Sequence, residues 1–443
     1  MVALIRGVCA AVFVSAVILP LPTSWGQATE DPLPEDASPD EATPDDASPD
    51  DASPDDGFPE HELYRVLTAG REDEKLAALV RLDTYGEDPR AADLLVKVIE
   101  KKDTDSAVPE STLRMIMMLV RFPEHAGARE MLVELLESEN WKIVIVAVDA
   151  LGEIGDAAVL EEIARLVESP HYPKIYGFRK SVLQAVMEIR DPGAVAFVIE
   201  QLPNLTGQLL YDAVRYLSHA SVQRFGGKGD VWATWWEDNA EDFRFASDEP
   251  FSPVAEVTAE ELSFEVEAPE FFGIYIYAKR LVFVLDVSSS MTAATMAGQT
   301  RIALAKQELV QAVGKLPEDT YFNILAFDAD VVRWKSRMVP ATKDNRENAA
   351  AWVLQIAPGK GTASFDALER AFAVDGNTEA IFFLSDGKPS KGKVTDPAAI
   401  VQIITAENFF RRIALYTFGF PEAGQQFMKS LAELNNGQYK PIQ

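Results

Sequence analysis

Five oxygen-bearing side chains are spaced so that they could serve one cation. Asp286, Ser288 and Ser290 alternate in Asp286-Val287-Ser288-Ser289-Ser290-Met291, Thr362 closes Gly359-Lys360-Gly361-Thr362, and Asp386 stands in Ser385-Asp386-Gly387. Two carboxylates and three hydroxyls form an all-oxygen donor set suited to a hard divalent cation, Mg²⁺ first, with Mn²⁺ or Ca²⁺ as alternatives. Ser288, Ser290 and Thr362 are neutral, so direct ligation by them leaves the ion electrophilic. If the two aspartates act mainly through bound water, one strong anionic ligand is still missing. An acidic side chain from a protein partner can supply it.

The elements needed to position these residues are legible in the pattern. Arg280–Asp286 is a continuous run rich in Val and Leu, as expected of a central parallel strand buried on both faces. Further strands are expected at Tyr321–Phe327, Val331–Trp334, Ala380–Leu384, Ala414–Phe418 and Gln438–Pro441. Helices are expected at Arg301–Val313, Asn345–Ile356, Ser364–Phe372, Ala398–Phe410 and Phe427–Leu434. Such alternation predicts a doubly wound, Rossmann-like α/β sheet, whose ligand site belongs at the carboxyl ends of the strands. Asp286 and Asp386 both sit at such ends.

On these residues the segment 272–443 resembles the von Willebrand factor A (VWA) domain, and Asp286, Ser288, Ser290, Thr362 and Asp386 match its metal-ion-dependent adhesion site (MIDAS). Gly359-Lys-Gly-Thr-Ala-Ser-Phe-Asp-Ala-Leu368, Phe383-Leu-Ser-Asp-Gly387 and Tyr416-Thr-Phe-Gly-Phe420 carry the likeness further. Two departures are visible. Ser289 replaces the glycine common between the serines, and Lys360 interrupts the usual Gly-Gly before the threonine; both could reshape the loop or limit partner access. The resemblance implies cation-dependent protein binding without catalysis.

Residues 61–244 read as paired amphipathic helices: Lys75–Leu82 with Ala91–Ile99, Leu113–Phe122 with Ala128–Leu136, Ile143–Ile154 with Val159–Val167, Val182–Ile189 with Val195–Leu202, then Leu209–Leu217. The second helices end at Glu100, Glu137, Glu168 and Gln201, a recurrence of 31 to 37 residues that marks an α-solenoid. Ala147-Val-Asp-Ala-Leu-Gly-Glu-Ile-Gly-Asp-Ala-Ala-Val-Leu160 resembles a HEAT-like repeat, with small residues for close packing and Gly155-Asp156 for the turn. Val231–Trp236 is expected to cap the last repeat, with its tryptophans as end-cap core rather than a binding platform.

The remaining segments bound compartment and partner. Residues 1–28 carry Arg6, the apolar Gly7–Leu21 and small residues at Gly26 and Ala28, the pattern of a secretory signal peptide cleaved after Ala28. Residues 29–60 repeat Pro-Asp-Asp-Ala-Ser with thirteen acids and no base, too polar to repay its ordering entropy, and are expected to form a disordered linker. Residues 245–271 form a second acidic linker, with a possible strand at Leu262–Val266. The expected location is outside a bacterial cytoplasm: periplasmic, cell-surface or secreted, with no stable membrane span after signal cleavage.

The chain has a formal charge of −29, which disfavours nucleic acid, yet residues 272–443 hold 19 basic against 17 acidic side chains. An acidic ligand is therefore not repelled by the domain that would receive it, and the Asp-rich tract itself is a candidate competitor.

Catalytic signatures fail. Cys9 is the only cysteine, and His61, His125, His171 and His219 all precede the α/β part. His61-Glu62 lacks the second histidine of a zinc-protease helix, and no Gly-x-Ser-x-Gly elbow occurs. Gly387–Val394 nearly spells a phosphate loop, but Val394 stands where a hydroxyl must meet Mg²⁺. The expectation is a non-enzymatic, cation-dependent protein-binding chain on a helical scaffold. The alternative is a scaffold whose solenoid binds partners while the metal site is passive.

Overall fold

The computed structural model of this 443-residue chain describes residues 57–102, 104–105, 108–251, 268–420 and 424–442. The signal peptide, nearly all of the Asp-rich tract and the strand anticipated at Leu262–Val266 lie outside them. No helix among the described residues is long and apolar enough to cross a membrane.

The first half is helical: Glu60–Ala69, Glu72–Asp83, Pro89–Ile99, Glu110–Met118, Ala126–Glu134, Trp141–Ile154, Leu160–Arg165, Tyr176–Glu188, Pro192–Gln201, Gly207–Ser221 and Gly229–Asn239. Local chemistry sets these bounds. Asp88 accepts from Arg90 N with Pro89 in the first turn, and Asp191 accepts from Gly193 N beside Pro192. Side-chain capping of this kind satisfies backbone donors that a helix start leaves free. Gly155 ends Trp141–Ile154 in the left-handed conformation (φ 73°), and Asp156 caps the next turn through Ala158 N. Gly152 lies against Ala185, where an added Cβ would come within 2.7 Å of the alanine Cβ, so the small residues do permit close helix packing. Glu60–Ala69 was not foreseen, since only Leu63 and Leu67 of it are buried. Trp232 is buried and donates from its indole to Gly226 O at 2.9 Å. Phe225 and Trp235 pack against it, and Trp236 and Phe243 extend the cluster; Trp232 is core, while Trp235 and Trp236 are half-buried against it.

The second half has strands β1 (Glu270–Phe271), β2 (Ile274–Tyr275), β3 (Arg280–Asp286), β4 (Tyr321–Phe327), β5 (Val331–Arg333), β6 (Val339–Pro340), β7 (Ala380–Ser385), β8 (Ala414–Gly419) and β9 (Tyr439–Pro441). The main sheet runs β5-β4-β3-β7-β8-β9, and β6 also pairs with β4. Strands β4, β3, β7, β8 and β9 are parallel, whereas β5 and β6 lie antiparallel to β4. The antiparallel edge has a simple cause: only Asp328-Ala-Asp330 joins β4 to β5, far too short for a parallel crossover. Helices Arg301–Lys315 and Lys343–Gln355 contribute to the apolar core on one face of the sheet, and Ser364–Phe372, Pro397–Asn408 and Gln425–Glu433 to that on the other.

The two halves meet at the amino ends of the parallel strands. Glu379, just before β7, accepts from Gln208 N at 3.1 Å and from Lys279 N at 3.0 Å. Tyr416 Oη donates to Gln208 Oε1, Gln208 Nε2 donates to Asp212, and the buried Lys180 pairs with Asp212 at 3.3 Å. Tyr176 N donates to Asn377 Oδ1, and Arg412 pairs with Asp149. Phe409, Phe410 and Tyr277 pack against the helical core, with Tyr277 stacked on Tyr211 at 4.1 Å. A Cβ at Gly177 would stand 2.0 Å from the Phe410 carbonyl oxygen, a contact only glycine avoids. Gly177→Ala should therefore destabilise the chain by about 1–3 kcal/mol through forced separation of the halves. Gly314→Ala, in an exposed helical position with open space around it, should stabilise by about 0.5–1 kcal/mol. Denaturant midpoints of the two variants check this; equal shifts would contradict the tight docking.

Candidate metal centre

Strand pairing creates the site. The β3–β7 register sets Leu285 beside Leu384, so Asp286 and Ser385-Asp386 leave the sheet side by side at its centre. Asp286 is fully buried. Its Oδ1 accepts from Ser288 N at 2.8 Å and its Oδ2 from Ser385 Oγ at 2.5 Å. Ser288 is buried and shares a 2.9 Å hydrogen bond with the exposed Ser290 hydroxyl. Ser290 Oγ donates to Asp386 Oδ1 at 2.7 Å, and Arg301 Nη1 donates to Asp386 Oδ2 at 2.9 Å.

Thr362 arrives on a loop stitched to both neighbours. Gly359 N donates to Val287 O at 2.7 Å, Ala363 N to Asp328 O at 2.7 Å, and Ser390 N to Thr362 O at 3.0 Å. Gly387 faces the remaining gap. A Cβ there would lie 3.7 Å from Thr362 Oγ1 and 3.8 Å from Ser290 Oγ, so glycine leaves open the space on which both hydroxyls converge. Asp286, Ser288, Ser290, Thr362 and Asp386 are thus gathered at one end of the sheet. Their donors fit a hard cation: all oxygen, three neutral, two anionic, with a side-chain-free residue beside them. Among the described residues no group of three or more His, Cys, Asp or Glu is placed to hold a metal, so any ion here must rely on hydroxyls.

Three residues of the site carry no spacing signal and were not assigned roles from the sequence. Ser385 fixes Asp286, Ser390 accepts from Thr362 N at 3.1 Å, and Arg301 holds Asp386. Ser385 is adjacent to a ligand position and could have been suspected; Arg301 is fifteen positions past Asp286 with an irregular loop between.

Burial pushes the Asp286 carboxyl up to about 6, against the lowering pull of hydrogen bonds from Ser288 and Ser385, and the Asp386 charge adds to the rise.

Comparison with known proteins agrees with the architecture. The family described as von Willebrand factor type A domain matches residues 279–441, and HEAT repeats match residues 129–217. The human von Willebrand factor A domain-containing protein 3B is 29% identical over 163 residues, covering 36% of this chain and 11% of that protein. The Bos taurus inter-alpha-trypsin inhibitor heavy chain H3 is 30% identical over 177 residues, covering 37% of this chain and 19% of that protein. A solved von Willebrand factor type A structure from Catenulispora acidiphila is 18% identical, with a TM-score of 0.33, covering 38% of this chain and 40% of that one. The chain thus spans less than a fifth of the length of these two curated relatives. It is a helical HEAT-repeat region followed by a VWA fold, as the residues implied.

In EDTA the raised Asp286 pKa has a definite sign. The folded state holds a proton that the unfolded state releases between about 3.8 and 6, so this group's contribution to stability is present at low pH and is lost as pH rises through that window. Asp286→Asn, which cannot ionise, should gain on the wild type by up to about 1.4 kcal/mol per pH unit across the window and by nothing further above it. Denaturation of both proteins from pH 4 to 8 measures this; a pH-independent difference would show that Asp286 titrates normally.

Proposed function

We propose that this chain is an exported, non-enzymatic protein that binds a protein partner through a divalent cation held by Asp286, Ser288, Ser290, Thr362 and Asp386. The observation that carries this reading is the convergence of the Ser290 and Thr362 hydroxyls on the space left by Gly387, backed by two buried carboxylates. A bound cation, Mg²⁺ foremost, would supply a Lewis-acid position for an acidic side chain of the partner. The protein's own groups prepare that position. Both Asp286 oxygens are engaged by Ser288 and Ser385, and both Asp386 oxygens by Ser290 and Arg301. Their charge is therefore partly spent inside the protein, which favours an external carboxylate as the missing anion.

The surroundings support the same class of ligand. Lys360, Lys388 and Lys391 are exposed on the two loops that flank Thr362. Such charges speed encounter with an acidic surface more than they add final affinity. The helical region docks at the amino ends of the strands, the opposite pole, and serves here as a scaffold that leaves the hydroxyl-bearing end uncovered.

Capture of partners from a native extract tests the reading. Recovery should be strong in Mg²⁺, lost in EDTA and lost with Asp286→Ala; Lys388→Glu should slow capture at low salt and matter little at high salt, where charges are screened. Recovery indifferent to EDTA and to Asp286→Ala would instead favour a helical scaffold with a passive metal site.

A further inference from the structure

Arg301 brings a positive charge to a site that otherwise gathers oxygen donors for a cation. It opens the helix Arg301–Lys315, where Thr300 caps the first turn by accepting from Ala303 N. Its own N–H donates to Ala293 O at 2.9 Å, and a bridge between Ala294 and Thr300 closes the intervening loop. The helix start is thereby fixed against the Asp-x-Ser-x-Ser turn, and the side chain reaches back to Asp386. The pair is well buried: the Arg301 side chain is 13% exposed and that of Asp386 0%, with Nη1 and Oδ2 at 2.9 Å. The guanidinium carbon also lies 5.5 Å from the centre of the buried Phe420 ring. Among the described residues no other basic side chain pairs with Asp286 or Asp386.

This arrangement has two consequences for a cation. A guanidinium and a divalent ion that share one carboxylate repel each other, and partial burial leaves that repulsion weakly screened. An aspartate that accepts from Ser290 on one oxygen and from Arg301 on the other keeps one lone pair per oxygen, but the charge it can offer an ion is already shared with the guanidinium. Both effects weaken metal binding, and both leave whatever ion is bound short of negative charge.

We propose that Arg301 is a tethered counter-cation of this centre: it restrains Asp386, lowers affinity for the divalent ion, and so strengthens the bound ion as an acceptor for a partner carboxylate. It is a positioning residue acting through Asp386. The inference rests on the metal-binding reading above, and its test separates the two. The full chain is titrated calorimetrically with MgCl₂ or MnCl₂ alone, without partner, as wild type, Arg301→Met and Arg301→Lys. Arg301→Met should bind the ion about tenfold or more tightly, a change of about 1.4 kcal/mol per factor of ten. Arg301→Lys, which keeps the charge, should remain near the wild type. In EDTA the Met variant should melt lower than wild type, because it leaves Asp386 buried without its cation, and Mg²⁺ should raise its melting temperature by more than it raises that of wild type. Arg301→Gln, which retains a donor to Asp386, replaces the Met variant if the latter does not fold. Equal ion affinity in wild type and Met variant, or weaker binding by the latter, overturns the role of Arg301 and leaves the metal reading standing. No binding of either ion by any of the proteins overturns the metal reading itself.

Discussion

Burying a carboxylate at the end of a sheet's central strand is the constraint from which the rest of the α/β half follows. Strand β3 is apolar on both faces, and Asp286 terminates it with no exposed surface. An isolated ionised carboxylate there would be penalised by several kcal/mol, so its oxygens must be met by donors or by a cation. The loops supply the donors. The turn after β3 returns Ser288 N, the neighbouring strand provides Ser385, and Ser290 and Arg301 serve the second aspartate. Burial outweighs these donors and holds the Asp286 carboxyl above the usual carboxylate range. That unmet demand for positive charge is the physical basis of the proposed divalent ion.

Parallel strands give the sheet two chemically different poles, and both are used. At the carboxyl pole, hydroxyls and carboxylates surround a gap beside Gly387. At the amino pole, Glu379 is equally buried but satisfied by two backbone N–H groups, and burial raises its pKa with Arg179 and Lys180 pulling the other way. The amino pole is closed because another element completes it. Gly207, at φ 62°, lies where a Cβ would stand 2.2 Å from Glu379 Oε2, so the helical region approaches that carboxylate as closely as backbone allows. One pole is finished by the chain's own helices, and the other is left uncovered by them.

What the sequence disclosed and what it withheld divide along the range of the interaction. Asp286, Ser288 and Ser290 were legible because alternation within five residues is a local property, and Thr362 and Asp386 because each stands in its own short loop motif. The helix pairs were legible from periodicity, and the Trp232 cluster from its place after the last repeat. The helix Glu60–Ala69 was not, because its apolar stripe is short, with only Leu63 and Leu67 buried, and it directly follows the acidic tract. The roles of Arg301 and Gly177 depend on contacts 85 residues away in the chain for one, and on the Phe410 backbone for the other. No local pattern encodes such a meeting. The antiparallel β5 could have been read from the three-residue turn before it, had loop length been weighed together with strand pattern.

The two departures in the loops acquire a physical meaning from backbone conformation. Ser289 is exposed and begins a short 3₁₀ turn, its carbonyl accepting from Thr292 Oγ1, and it does not adopt positive φ. A glycine at that position is therefore not demanded by the chain's path. In the second loop, Gly361 takes the left-handed conformation (φ 85°), while Gly359 leaves room for Asp328, whose Oδ2 would stand 1.5 Å from an added Cβ. Both glycines that the loop needs are present, and Lys360 sits between them with ordinary φ and an exposed side chain. The lysine consequently changes the loop's charge without changing its course. It stands on the same rim as Lys388 and Lys391, while the cationic Arg301 is turned inward onto Asp386. Positive charge at this pole is thus split between an inner group paired with Asp386 and an exposed outer set, a division that a purely ligand-based reading of the motif would miss.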